Sequence, residues 1–131
     1  MENFLLQREL TISCSRTERG KHMQLGIRLH DIKKAPLEER LAIAKEQGFL
    51  CGHLALSKVI TEYPVDDGAL TPGYAMYLKK IFAKNDLDIA VLGCYLNLAN
   101  PDEGQLAKIT HRYLAHIRFA SLLGVGVVGT E

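Results

Sequence analysis

The sequence predicts an α/β fold: a parallel (β/α) half-barrel, the N-terminal four strands of a TIM barrel. Three observations carry this. Short apolar segments alternate with longer segments of helical period in the order βα βα βα β, and such alternation implies parallel strands joined by right-handed crossovers. The strand segments are nearly continuously apolar, as strands covered on both faces are. The turn after the first strand reads LHDIKKAP, without the GxGxxG that an open dinucleotide-binding sheet places there. The later GVGVVG run lies within a strand with no helix after it, so it does not read as a phosphate loop.

Residues 1–22 lack the pattern. They hold a short apolar patch and then a Ser/Thr/Arg-rich stretch. Glu18-Arg19-Gly20 back-translates to a purine-rich GAA AGG GGA two codons before Met23, so Met23 is a candidate natural start. Two expectations follow for residues 1–22: a translated leader, or a disordered or docking arm. Residues 23–131 then form the domain.

Leu25–Leu29 is the first strand. Leu25, Ile27 and Leu29 share one face, and Arg28 and His30 point the other way, into the barrel. Pro36 suits a helix's first turn, and Leu37, Leu41 and Ala44 space a helix to about Gln47, stopped by Gly48. Cys51–Leu56 is the second strand, ending at Ser57-Lys58. A loop with Pro64 and Asp66-Asp67-Gly68 as turn signals follows. Thr71-Pro72 caps a helix with Ala75, Leu78 and Phe82 inward, ending near Asn85.

Asp88–Leu96 is the third strand. Pro101-Asp102-Glu103 opens a third helix, with acidic groups at the positive end of its dipole. Its expected inner stripe is Leu106, Ile109, Tyr113, Ile117 and Ala120. Gly124 ends it, and Val125–Val128 is the fourth strand.

With 131 residues the chain makes one ordinary domain, and 47% hydrophobic against 24% charged residues is globular composition. A net charge of +1 without a basic block argues against a nucleic-acid partner, and no apolar run reaches bilayer-spanning length, so no membrane partner is expected. Three scattered cysteines and an acidic residue before a very short N-terminal apolar run point to a reducing, cytoplasmic location.

Taken in order, LGIRLHD, GHLALSK, VLGCYLN followed by NPD, and VVGTE resemble the N-terminal half of a sugar phosphate isomerase/epimerase of the xylose isomerase-like TIM-barrel superfamily. The match covers residues 23–131. No single motif is unique to the family; the ordered set carries the resemblance. Sugar epimerases, inosose dehydratases and apurinic endonucleases share the scaffold. The resemblance implies a divalent metal (Mn, Mg or Zn) at the barrel mouth, held mainly by carboxylates and a histidine from later strands. Those strands are not among the 131 residues, so the chain alone is expected to hold no metal stably and to be inactive by itself. The expected partner is a small-molecule sugar or sugar phosphate. A same-scaffold dehydratase or apurinic endonuclease, or a catalytically silent half-barrel, are the alternatives. Open first and fourth strands are a self-association surface.

Isomerising a sugar takes a proton from a carbon beside a carbonyl and returns it elsewhere, through an enediolate. Glu131, at the last strand's end, is the candidate catalytic carboxylate, as a metal ligand or base or, in its favoured form, as an outer-shell group binding a substrate hydroxyl; the alternative is a frayed terminal residue. His30, His53, Lys58, Tyr95 and Asn97 are the candidate substrate-binding residues. Each has a bland alternative: a backbone-satisfied strand-end histidine at His30, a buried structural histidine at His53, a solvated lysine at Lys58, and structural hydrogen bonding at Tyr95 and Asn97. His111 and His116, five apart on a helix, face different ways and are not a metal pair. Cys94 reads as a small core residue.

Overall fold

The computed structural model describes residues 23–130. The leader-or-arm expectation for residues 1–22 and the role expected of Glu131 lie outside the described residues. The strands are β1 (Gly26–Arg28), β2 (Cys51–Ala55), β3 (Asp88–Gly93) and β4 (Val128–Gly129). The helices are α1 (Leu37–Glu46), a single turn α2 (Leu56–Val59), α3 (Pro72–Lys84) and α4 (Glu103–Leu123), with short 3-10 turns at Leu29–Asp31 and Asp67–Ala69. The four strands form one all-parallel sheet in the order β1-β2-β3-β4. This order has no reversal, unlike a doubly wound sheet.

One face of the sheet carries the core. Leu29, Leu54 and Leu92 are fully buried from the sheet side, against Leu41 and Ala44 of α1, Ala75, Leu78 and Phe82 of α3, and Phe119, Ala120 and Leu123 of α4. Burying each large apolar side chain contributes roughly 1.5–3 kcal/mol, far more than helix propensity per residue, so this face holds the three long helices in place. The caps follow the sequence signals. Thr71 Oγ1 accepts from the Tyr74 N–H at 3.2 Å, and Asp102 Oδ1 accepts from the Gln105 N–H at 2.8 Å. Gly48 and Gly124 end α1 and α4 at φ 86° and 74°, where a side chain is disfavoured.

All four strands are shorter than the sequence predicts. β1 gives way at Leu29 to a 3-10 turn because the Leu29 carbonyl turns to the guanidinium of Arg40. Lys58, expected at a strand end, lies on α2, and the third strand stops at Gly93 rather than Leu96. β4 pairs only through Leu92↔Val128 and Gly93↔Gly129, so Val125–Val127 stay outside it.

The inner stripe of α4 is also displaced. Ile117 is 53% exposed, while His116, Phe119 and Leu123 are buried. His116 and Ile117 both stand three or four residues from Tyr113 and from Ala120, so spacing alone cannot choose between them. Phe119 stacking on Tyr74, with centroids 5.7 Å apart, sets the helix phase. Arg112 then ties the helix to the loop before α3: Nη1 donates to Asp67 Oδ1 at 2.5 Å and Nη2 to the Val65 carbonyl at 2.6 Å. Among the described residues no helix is long and apolar enough to cross a membrane.

Candidate functional site

The sheet's second face is the one to examine for chemistry, because the helices do not cover it. Side chains alternate along a strand. With Leu54 in the core, His53 points to this open face. β1 places Arg28 opposite His53. On β3 the register shifts: Gly52 faces Ile89 but His53 faces Val91, which leaves Ala90 as an extra residue. This bulge puts Ile89 and Leu92 both toward the core and brings Val91, Gly93 and Tyr95 into phase with His53. Gly93 is required there, since a Cβ on it would come within 2.5 Å of His53 Nε2.

Three rings meet, two of them from residues just past the ends of β1 and β3 and the third from His53 within β2. His30 and His53 lie edge to face with centroids 5.7 Å apart, His30 and Tyr95 at 5.8 Å, and His53 and Tyr95 at 5.6 Å. Tyr95 Oη and His53 Nε2 share a 2.6 Å hydrogen bond. Lys58 Nζ sits 4.1 Å above the centre of the Tyr95 ring. Arg28 Nη2 and Nε reach His30 Nε2 at 2.8 and 3.1 Å, and Arg28 Nε lies 3.4 Å from Asp31 Oδ2. The face thus gathers two imidazoles, a phenol, an ammonium and a guanidinium.

Its supports come from the helix side. Arg40, only 3% exposed, donates from Nε to the Ala35 carbonyl at 2.8 Å and from Nη1 to the Leu29 carbonyl at 3.1 Å, fixing the turn that carries His30. Glu62 accepts the Leu37 N–H at 2.8 Å and the Thr61 N–H at 2.8 Å, capping α1. Desolvation pushes the Glu62 carboxyl up, but these backbone donors and the Arg40 charge outweigh it and hold the group below its ordinary value. Tyr113, expected only as part of an inner stripe, clamps the exits of β3 and β4. Its hydroxyl donates to the Leu96 carbonyl at 3.0 Å, receives the Leu96 N–H at 3.3 Å, and hydrogen-bonds Thr130 Oγ1.

Of the residues singled out in the sequence, His30, His53, Lys58 and Tyr95 are brought together. Asn97 is exposed in the following loop, where its Oδ1 accepts the Ala99 N–H at 2.9 Å in a local turn. Arg28 and Gly93 were not among the candidates. Arg28 shares the parity of His30, which was the available signal; Gly93 gave none, because its role depends on the bulge. His111 is exposed, 3.7 Å from Asp67 Oδ2, whereas His116 is buried. Cys94 is buried, and that burial pushes its thiol up, away from a nucleophile's thiolate. Cys51 also has a raised thiol, from burial first and the Asp88 charge second.

A divalent metal needs several free donors converging on one point. Here Nε2 of each site histidine is engaged, one with Tyr95 and one with Arg28. Among the described residues no group of three or more His, Cys, Asp or Glu side chains is placed to hold a metal ion. The described residues do not by themselves make the metal site that the family resemblance implies. What they can make is a polar, partly cationic surface able to bind hydroxyls and anionic groups and to move a proton. No protein-family model matches the sequence, and neither does any curated protein.

Proposed function

We propose that this chain carries the substrate-facing first half of a metal-dependent sugar or sugar-phosphate isomerase or epimerase, built on a (β/α) barrel. The observation that carries the reading is the convergence on His53, within β2, of His30, Lys58 and Tyr95, which follow the C-terminal ends of β1, β2 and β3. Barrel enzymes assemble their sites at that end. Four sequential parallel strands with the long helices on one face are half of what a closed eight-stranded barrel needs. Rings and hydrogen-bonding groups suit a sugar's faces and hydroxyls, and the Lys58 and Arg28 cations suit a phosphate. In this reading metal ligation and removal of the carbon-bound proton belong to further strands. The 131-residue chain binds substrate weakly and does not turn it over.

The test is a titration of the protein with pentose and hexose phosphates, followed through the imidazole and tyrosine ring signals in NMR spectra. Saturable shifts confined to His30, His53 and Tyr95 support the reading. Signals that stay fixed at millimolar ligand, or that move only at His111 or His116, overturn it.

A further inference from the structure

Within that face the contacts are unequal. Tyr95 touches three of the other groups: its hydroxyl is 2.6 Å from His53 Nε2, its ring is edge-on to His30, and Lys58 Nζ lies 4.1 Å over its centre. We propose that Tyr95 is the acid–base residue of this face, oriented by His53 and able to carry a transient negative charge beneath the Lys58 ammonium. This rests on the isomerase reading for its substrate but on the geometry of Tyr95 for its chemistry.

The orientation is over-determined. His53 is held from behind by Gly93, whose missing Cβ is the space the imidazole fills. The residue after Tyr95 is clamped through both its N–H and its carbonyl by the Tyr113 hydroxyl. The phenol oxygen is thereby fixed on the helix-free face, hydrogen-bonded to His53. A phenol has further hydrogen-bonding capacity, which a substrate oxygen can use.

The step concerns oxygen-bound protons, which isomerisation through an enediolate must also relocate. As the carbon-bound proton leaves, the neighbouring carbonyl oxygen gains negative charge. The Tyr95 O–H bond breaks and its proton forms a new O–H bond on that oxygen, leaving a phenolate. The adjacent substrate hydroxyl then loses its proton to the phenolate, which restores the phenol; its oxygen becomes the new carbonyl as the carbon–carbon double bond takes up, at the former carbonyl carbon, the proton held by the base that removed the first. One proton leaves Tyr95 and one returns, so the residue is unchanged over a cycle. The phenolate between the two transfers is the costly species. A cation over the ring favours it electrostatically.

The charged and titratable groups facing Tyr95 among the described residues are His30 on the first 3-10 turn, His53 on β2 and Lys58 on α2, with Arg28 one contact away through His30. Lys58 meets Tyr95 over its ring, whereas His53 bonds its hydroxyl, so both partners of that bond remain when Lys58 is replaced. An exposed cation over a ring shifts the phenol by about half a pH unit, or roughly threefold in its acid constant.

The test is the ultraviolet absorbance of phenolate against pH. Subtracting the curve of Tyr95→Phe from that of the wild type isolates Tyr95 from the other four tyrosines. Lys58→Met is expected to raise the Tyr95 midpoint by about half a unit. Far-ultraviolet circular dichroism and melting of each variant establish that the fold persists. A midpoint that Lys58→Met leaves in place overturns the assignment. A second arm uses a sugar-acid hydroxamate, which mimics the enediolate. Tyr95→Phe is expected to weaken its binding about tenfold, the worth of one hydrogen bond to a charged group. Unchanged binding overturns the proton-shuttle role. If the wild type binds no hydroxamate but Tyr95 still follows Lys58, the sugar reading fails and the acid–base residue stands.

Discussion

Gly93 and His53 share one small space: a Cβ on Gly93 would lie 2.5 Å from His53 Nε2 and 3.1 Å from the Ala55 Cβ. The ring therefore occupies the volume of an absent side chain. Its Nε2 is the atom bonded to Tyr95, so packing on β3 and hydrogen bonding at the candidate site are one arrangement.

Gly93→Ala is expected to force His53 away and to break its bond to Tyr95. The backbone beside it is paired with β2 and β4, so the ring rather than the strand must give way. Over-packing of this kind destabilises by about 1–3 kcal/mol. Urea unfolding measures the stability, and the His53 ring signals measure the displacement. A variant as stable as the wild type with unmoved ring signals contradicts this packing.

Arg40 is a second support whose removal should be felt at the site. Arg40→Met keeps the side chain's length but strands the carbonyls of Leu29 and Ala35. Two bonds from a charged donor, each contributing about 1.5–3 kcal/mol, put the loss at roughly 3–6 kcal/mol. Restoring charge with Arg40→Lys recovers only part of it, because an ammonium lacks the guanidinium's fork. Denaturant unfolding of the three proteins checks the ranking, and equal stabilities contradict it.

Arg40 also shows what the sequence could and could not reveal. The βα alternation and the Thr71, Gly48 and Gly124 caps were legible because each depends on neighbours a few residues away, and Asp102 was legible at its helix start as a dipole charge, though not as the cap it makes. Arg40 reads as a polar helix position, and its burial depends on two carbonyls, one of them eleven residues earlier. Ile117 and His116 fit the same helical spacing, and only the stacking of Phe119 on Tyr74, far off in the chain, separates them. At the candidate site, strand parity was enough to pair Arg28 with His30. The bulge at Ala90 that phases Gly93 and Tyr95 with His53 is a property of strand pairing, which residue order does not display. Asn97 lies in the loop after β3, where its side chain accepts the Ala99 N–H in a local turn that strand parity does not describe.

The outer strands bear on association. Among the described residues β1 pairs only with β2 and β4 only with β3. Leu25 is 62% exposed just before β1, and Val127 is 52% exposed just before β4. Because the strands are parallel, β4 of one copy can continue onto β1 of another, and two such joints close a two-fold ring. The 131-residue chain is expected to dimerise in a concentration-dependent way. Val127→Lys should shift the equilibrium toward monomer by at least tenfold, since the joint would then bury an unpaired charge. Sedimentation velocity measures both. A monomer at every concentration that still melts cooperatively contradicts the expectation.

His116 should give the fold a sensitivity to mild acid. Burial lowers its pKa from the ordinary 6.5; the Arg112 carbonyl, 2.9 Å from Nδ1, opposes this, and the Arg112 charge adds to it. A histidine with a depressed pKa stays neutral in the folded state at a pH where the unfolded chain already binds a proton. Its contribution is therefore complete well above 6.5. It diminishes as pH falls through 6.5 and toward the lower folded value, at a limiting slope of about 1.4 kcal/mol per pH unit. His116→Gln retains a polar side chain but cannot take up the proton. Stability measured by urea unfolding from pH 8 to pH 5 should fall more steeply in the wild type than in the variant, and the two curves should converge or cross on the acid side. Subtraction of the curves removes the contributions of the other histidines, which both proteins keep. Parallel curves would mean that His116 binds its proton as readily in the folded chain as in the unfolded one, against its burial on the inner side of α4.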